Sequence, residues 1–509
     1  MPKVRTGCLT CKQRRIKCDE AKPLCRNCSR GSRRCQYPDQ VEGDSNTSQE
    51  VATSNPQRRL PIRVYNLPFK VPGSQADRQL LHFYCVEAAG GLSSFSDPSL
   101  WTNLILQRSH HQPVIRHALV TLAALHRDFL QAGNRVQPAA SQASIQRIAK
   151  SHRQLRLYLR SPDASPDTPL ICSILFFAFE TLIGDGASAI QHLNNGLNLL
   201  KQYQGRWHSG DDLLPQLTSI FSRLDVQAST FDDRRVPILD LVTPDEMAGA
   251  VDVVPEELFD IAHAEAVLTR LQNWMMHHII VNVAHKHKPM EDFPPDLLRQ
   301  RFILYRQYER FLFALTVLLN SLPAELSHRA ILLRIQARMY HAILVENIPD
   351  HTVYPSPPGS FSGGTPSPPS ESLQDTLRDI QSFLALDSPE DTPRNFTLCS
   401  QLVAILYFIS LKTTDVQSRG TALSLLQHPQ LPSRDGLWEA DKAVTIIRAM
   451  MERTGGEPVE AGTLEAVGDG ILDPEDGGLE EVFQRVNIRS TRSVERSVGR
   501  TVEPTDSGP

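Results

Sequence analysis

From about Ser74 to Met451, apolar residues recur at three- and four-residue spacings, the pattern of helices that each bury one face. Asp97-Pro98 reads as an N-cap followed by the first helical position, opening a helix that carries Leu100, Leu104 and Ile105. Pro113 opens another, with Val114, Ala118, Leu119, Leu122 and Leu125 on one side. ASAIQHLNNGLNLLKQY places Ile190, Leu193, Leu197 and Leu200 on one face. Similar stripes occupy 255–285, 297–320, 323–346, 396–411 and 437–451, and no alternating strand series interrupts them. The pattern predicts a large all-α domain over 74–451. Its most apolar runs, PLICSILFFAFETLIG and FTLCSQLVAILYFISL, contain Glu180 and Gln401 and fall short of the roughly 20 residues a membrane span needs. They read as buried core helices, and no membrane partner is expected.

The periodicity fails in four places. Residues 39–60, DQVEGDSNTSQEVATSNPQRRL, are polar, and 41–73 is expected to be a flexible linker. SPDASPDTP at 161–169 is a short connection. YPSPPGSFSGGTPSPPSES at 354–372 is a longer loop containing Ser356-Pro357, Thr365-Pro366 and Ser367-Pro368, which proline-directed kinases could use. After Met451 the chain turns acidic with interspersed apolar residues, so 452–509 reads as a low-complexity tail.

Residues 1–40 have no apolar stripe and a different chemistry. Cys8, Cys11, Cys18, Cys25, Cys28 and Cys35 repeat one layout, C-x2-C-x6-C, twice. A structural zinc takes four ligands, so neither three-cysteine repeat completes a site alone. Two zincs need eight ligand positions, which six thiolates supply if one cysteine of each repeat is shared. A one-zinc ribbon with two spare thiols is the alternative metal reading. A disulfide framework would need an oxidising compartment, and MPKVRTGCL has no apolar stretch of signal-peptide length. Cys85, Cys172 and Cys399 are scattered in apolar surroundings and read as buried thiols. The same forty residues carry eleven Lys and Arg against three Asp and Glu, a net of +8; the whole chain is −4, which leaves −12 elsewhere. A basic module on an acidic chain points to a polyanion partner for that module alone.

The run CLTCKQRRIKCDEAKPLCRNCSRGSRRC resembles the binuclear zinc cluster DNA-binding domain of fungal transcription factors. Beyond the cysteines, the likeness includes RRIKC, CDE, Pro23, Gly31 and Tyr37. It implies two structural zincs, with Cys8 and Cys25 bridging: Cys8, Cys11, Cys18 and Cys25 around one ion, and Cys25, Cys28, Cys35 and Cys8 around the other. A short helix beginning near Cys11 is expected to present Lys12, Arg14, Arg15 and Lys17, with Ile16 packed on the metal core. The resemblance assigns CGG readout to Arg14 and Arg15, Arg15 standing where the family most often has Lys. Lys12, Lys17, Arg30, Arg33 and Arg34 then meet phosphates, which position without specifying. Blocks such as LILQRSHHQPVIRHALVTLAALH and SILFFAFETLIGDGASAIQHLNNGLNLL resemble the family's α-helical regulatory region, over most of 75–450.

These readings converge on a nuclear, sequence-specific regulator of RNA polymerase II genes, binding double-stranded DNA and activating a metabolic or biosynthetic gene set. A DNA-bound repressor or adaptor without its own activation function is the alternative. No G-x-S-x-G, Gly-rich phosphate loop or H-E-x-x-H occurs, so no enzyme is expected. His277, His278, His285 and His287 read as helix-packing residues rather than ligands. Between Cys35 and Leu60 no heptad of Leu or Ile appears, so any homodimer is expected to form through the helical region. A small-molecule effector is conceivable there but unidentified.

Overall fold

The computed structural model describes residues 7–37 apart from 15 and 32, and residues 72–454 apart from 94–96, 133–141, 163, 204–212, 233–234, 282–293, 324–325, 347–368, 387–395 and 414. The chain divides into two compact units, Met1–Lys70 and Val71–Pro509.

The larger unit is helical, as the spacing predicts. Its first helix, Gln75–Phe83, starts with a capping box: the Ser74 hydroxyl accepts from the Asp77 N–H, and the Asp77 carboxylate accepts from the Ser74 N–H, each at 3.1 Å. The helical run after Asp97-Pro98 contains a π-turn, Leu100–Leu104, before the α-helix Ile105–His111. Pro113 then opens Pro113–Ala132. At the centre lies Asp167–Ile183, buried on nearly every side. Its apolar residues leave no polar face, which is why it must sit inside the bundle. It packs against Pro113–Ala132 and against Gly186–Tyr203. The turn into the latter is made by Gly184, whose φ of 92° is the left-handed C-cap conformation that favours glycine.

The described residues of this unit form two apolar cores. One gathers the helices named so far with Leu213–Phe231, Pro369–Ala385, Leu402–Lys412, Val416–Leu426 and Ala440–Thr454. The other is built mainly from Ile261–Val281 and Pro295–Leu319. Ser327–Glu346 belongs to both. Leu332, Ile335, Met339 and Ala342 face the first core, and Ala330, Leu333, Ala337, Tyr340 and Leu344 face the second. Each set is spaced three and four apart, so one helix carries two apolar stripes and joins the two cores.

The 396–411 and 437–451 stripes are only partly helical. Phe396–Thr397 (β1), Arg434–Asp435 (β2) and Trp438–Glu439 (β3) form a small sheet in the order β1-β2-β3, parallel then antiparallel. Asp435 anchors it: its buried carboxylate accepts from the Ser400 N–H and hydroxyl, each at 2.7 Å, and from the Thr397 hydroxyl at 3.1 Å. Cys172 and Cys399 are buried as expected, but Cys85 is exposed, on the outer side of the π-helical turn Tyr84–Ala88. Among the described residues, no helix is long and apolar enough to cross a membrane.

Candidate metal centre and nucleic-acid interface

The described residues of the small unit are two copies of one turn related by a shift of 17 residues. Cys8 and Cys25 are each the N-cap of a short helix, Leu9–Gln13 and Arg26–Ser29. Each capping sulfur accepts the N–H of the cysteine three residues on, from Cys11 and from Cys28, at 3.4 Å. The N–H of Cys8 points to the Cys18 sulfur at 3.5 Å, and that of Cys25 to the Cys35 sulfur at 3.4 Å. Repeated spacing in the sequence thus becomes repeated hydrogen bonding. The halves are tied by Thr10 Oγ1 donating to the Arg34 carbonyl and Asn27 Nδ2 to the Lys17 carbonyl, both at 2.7 Å. The Asp19 carboxylate caps the second helix by accepting the Arg26 N–H at 3.0 Å. Lys22-Pro23 is a cis bond in the loop between them. Gly7 lies so near Cys18 that an added Cβ would fall 2.8 Å from the Cys18 Cβ.

The six sulfurs form the core of this unit. Cys8, Cys11, Cys25 and Cys28 are buried with Tyr37, and Cys18 and Cys35 are half-buried against them. The donor atoms fall into two groups, each within 4.8 Å: Cys8, Cys11, Cys18, Cys25 and Cys8, Cys25, Cys28, Cys35. Cys8 and Cys25 occur in both. The Cys8–Cys25, Cys8–Cys28 and Cys11–Cys25 sulfurs are 3.8, 3.7 and 3.7 Å apart. A tetrahedron with Zn–S arms of about 2.3 Å has edges of about 3.8 Å, so the donors fit two zinc ions.

Electrostatics agree with that fit. Burial opposes ionisation of Cys8 and Cys25, yet the N–H groups and thiols around them more than offset it and hold both below the ordinary thiol value. Burial and the Cys25 sulfur push Cys28 up to about 12, and Cys11 is raised as well. The six sulfurs thus compete for ionisation, and only cations between them would let all six be thiolates at once.

The helix expected to begin near Cys11 starts earlier and ends sooner than the candidate base contacts require. It spans Leu9–Gln13, with Arg14 as its C-cap and Lys17 beyond it. Ile16 does not pack on the sulfurs: it is 40 % exposed, because the chain has left the helix by that point. Lys12, Arg14, Lys17, Arg30, Arg33 and Arg34 are all exposed, and none forms an ion pair with a carboxylate among the described residues. Arg15 lies outside the described residues. Of the histidine group, His278 is buried and held neutral by burial, at about 4, while the His277 ring nitrogen lies 3.3 Å from the Leu239 carbonyl. His285 and His287 lie outside the described residues.

Residues 6–43 match the fungal Zn(2)-Cys(6) binuclear cluster domain, and residues 79–400 the fungal specific transcription factor domain. The chain belongs to the fungal zinc-cluster transcription regulators, whose cluster domain holds two zinc ions. Among curated proteins it is similar to the aspercryptin biosynthesis cluster-specific transcription regulator atnN of Emericella nidulans, 29 % identical over 258 residues, 46 % of this chain and 41 % of the relative. Transcription regulator lscL of Purpureocillium lilacinum is 25 % identical over 213 residues, 38 % of this chain and 48 % of the relative. Transcription factor lfc1 of Flammulina velutipes is 44 % identical over 59 residues, 12 % of this chain and 16 % of the relative. The matched segments thus cover less than half the length of each. No solved structure matches the chain.

Proposed function

We propose that this protein is a nuclear, sequence-specific regulator of RNA polymerase II genes that reads CGG-type half-sites in double-stranded DNA and activates a metabolic or biosynthetic gene set. The observation that carries the reading is the set of exposed cations, free of carboxylate partners among the described residues, on a knot whose core is six sulfurs. In this reading Cys8 and Cys25 bridge two zincs, Cys11 and Cys18 complete one, and Cys28 and Cys35 the other. All ligand positions are then thiolate, so the metals are structural. Arg14 and Arg15 meet guanine edges in the major groove, where an Arg pairs bidentately with O6 and N7. Lys12, Lys17, Arg30, Arg33 and Arg34 meet phosphates. The biosynthetic gene set is supported by the name of the Emericella nidulans relative.

Residues 1–40 act as the DNA-binding domain, 41–73 as linker, 74–451 as the regulatory domain and 452–509 as the tail. One cluster reads about three base pairs, whereas specific sites exceed non-specific ones by roughly 4–10 kcal/mol. A second half-site supplies the difference, and the helical region provides the homodimer contact.

Binding of variants to duplexes with intact and altered CGG triplets tests the reading. Arg15→Ala should cost about 1–3 kcal/mol on CGG and relax discrimination there. Lys17→Ala should weaken all duplexes evenly and lower the salt slope by about one. Even loss in both variants would remove Arg15 from base readout. Sedimentation of the full chain on a two-half-site duplex tests the dimer, and a monomer there would overturn it.

A further inference from the structure

Outside the cysteine knot, one further set of metal-ligating side chains converges among the described residues. His152 comes from the helix Gln142–Tyr158, Glu180 from Asp167–Ile183 and His192 from Gly186–Tyr203. Their donor atoms lie within 4.8 Å of one another. The two imidazole rings are 5.1 Å apart between centroids, and both rest on Phe176, at 4.5 and 5.3 Å. Both histidines line a cavity of about 840 Å³, with Arg156 and Tyr203 also on its wall.

The present contacts leave one of these donors unpaired and bring the other two together only loosely. His152 Nε2 is buried and has no hydrogen-bond partner. His192 Nε2 and Glu180 Oε1 are 3.8 Å apart, beyond hydrogen-bond distance. The Glu180 side chain is only 11 % exposed and meets no Lys or Arg among the described residues. The charge of Asp185 also acts on it, and that is another carboxylate. A buried carboxylate without a cation is costly. Two imidazoles and a carboxylate are also one of the donor sets that zinc takes in sites with an open position.

We propose that His152, Glu180 and His192 form a second metal site, taking a divalent transition ion of the zinc class with its fourth position open to the cavity. The donors stand wider than the edge of about 3.4 Å that arms of about 2.1 Å require. Binding therefore draws them together, and the cavity beside His152 and His192 gives those rings room to turn. The open position falls to water or to a donor atom of a small molecule in the cavity. Arg156 on the wall favours an anionic donor there.

The test uses the full-length protein with its cysteine cluster loaded, equilibrated with micromolar free zinc, desalted and assayed for bound metal. Three zincs per chain are expected in the wild type and two in Glu180→Gln and in the His152→Gln/His192→Gln double variant, with unchanged circular dichroism. Two zincs in the wild type, or three retained in the double variant, would overturn the site. Cobalt(II) titration of wild type carrying zinc in its cysteine cluster alone, with no further zinc added, decides the matter even where a variant fails to fold. The added ion should give ligand-field bands of nitrogen–oxygen coordination without thiolate charge transfer, and the absence of such a species would equally overturn the proposal.

Discussion

Replacing Arg235 by Met should be among the most damaging single changes in the regulatory domain. Asp225 is fully buried in Leu213–Phe231, and the Arg235 side chain is 7 % exposed. Arg235 Nη2 donates to Asp225 Oδ1 at 2.6 Å and to Asn194 Oδ1 at 2.7 Å, while Nη1 donates to the Ser229 hydroxyl at 2.9 Å. The other Asp225 oxygen accepts the Leu239 N–H at 2.8 Å. Met preserves the apolar stem but strands the carboxylate, and leaving one partner of a buried pair alone costs about 3–5 kcal/mol. Most of that is desolvated charge rather than lost hydrogen bonds. Adding Asp225→Asn, which keeps an acceptor for Leu239 and removes the charge, should therefore recover about 1–3 kcal/mol. Urea unfolding followed by tryptophan fluorescence measures both, since Trp101, Trp274 and Trp438 are buried in the helical unit. A loss for Arg235→Met within the roughly 0.5 kcal/mol of ordinary surface changes would refute the reasoning, as would a double variant no better than the single.

Removing a shared sulfur should differ from removing an unshared one. Cys25→Ala takes a donor from both four-sulfur groups and should abolish both zincs, whereas Cys35→Ala should leave one retained more tightly than the other; metal quantitation on the purified chain checks this, and equal losses would count against sharing. Acid should unfold the helical unit between about pH 6.5 and 4. Burial depresses His126, His278 and His341 to about 4, so between those limits the unfolded chain binds more protons than the native one, and stability present above pH 6.5 is lost as pH falls. Tryptophan fluorescence against pH follows that loss without interference from the cysteine unit, which has no tryptophan, and His126→Gln should move the midpoint to lower pH.

How much of this could be read beforehand depended on how local each constraint was. The cysteine layout was legible because ligand spacing is itself the signal, and the 17-residue shift carries over into matching hydrogen bonds at Cys8 and Cys25. Ile16 departs from the rule that an apolar residue seeks a core. In a knot whose interior is sulfur and Tyr37, no room for it remains. Single-stripe helices such as Gly186–Tyr203 announced themselves; Ser327–Glu346 did so only in part, since its second stripe has meaning only beside a second core. The sheet leaves no mark in the sequence, because strands of two residues are too short to alternate. No local pattern could have shown that His152, Glu180 and His192 meet, because they stand 28 and 12 residues apart on three helices.

The two metal-ligating sets differ in the way their roles require. Around the six cysteines every donor is a thiolate on a short turn, and those turns have almost no other core. The ions there substitute for a hydrophobic interior, and a free coordination position would weaken the fold. His152, Glu180 and His192 hang from helices already held by the Phe176, Phe177 and Phe179 packing of a full apolar core. That bundle stands without a metal, so a site in it can gain or lose an ion without unfolding. Three donors against a cavity suit an ion that is exchanged, and six thiolates, two of them shared, suit ions that are kept.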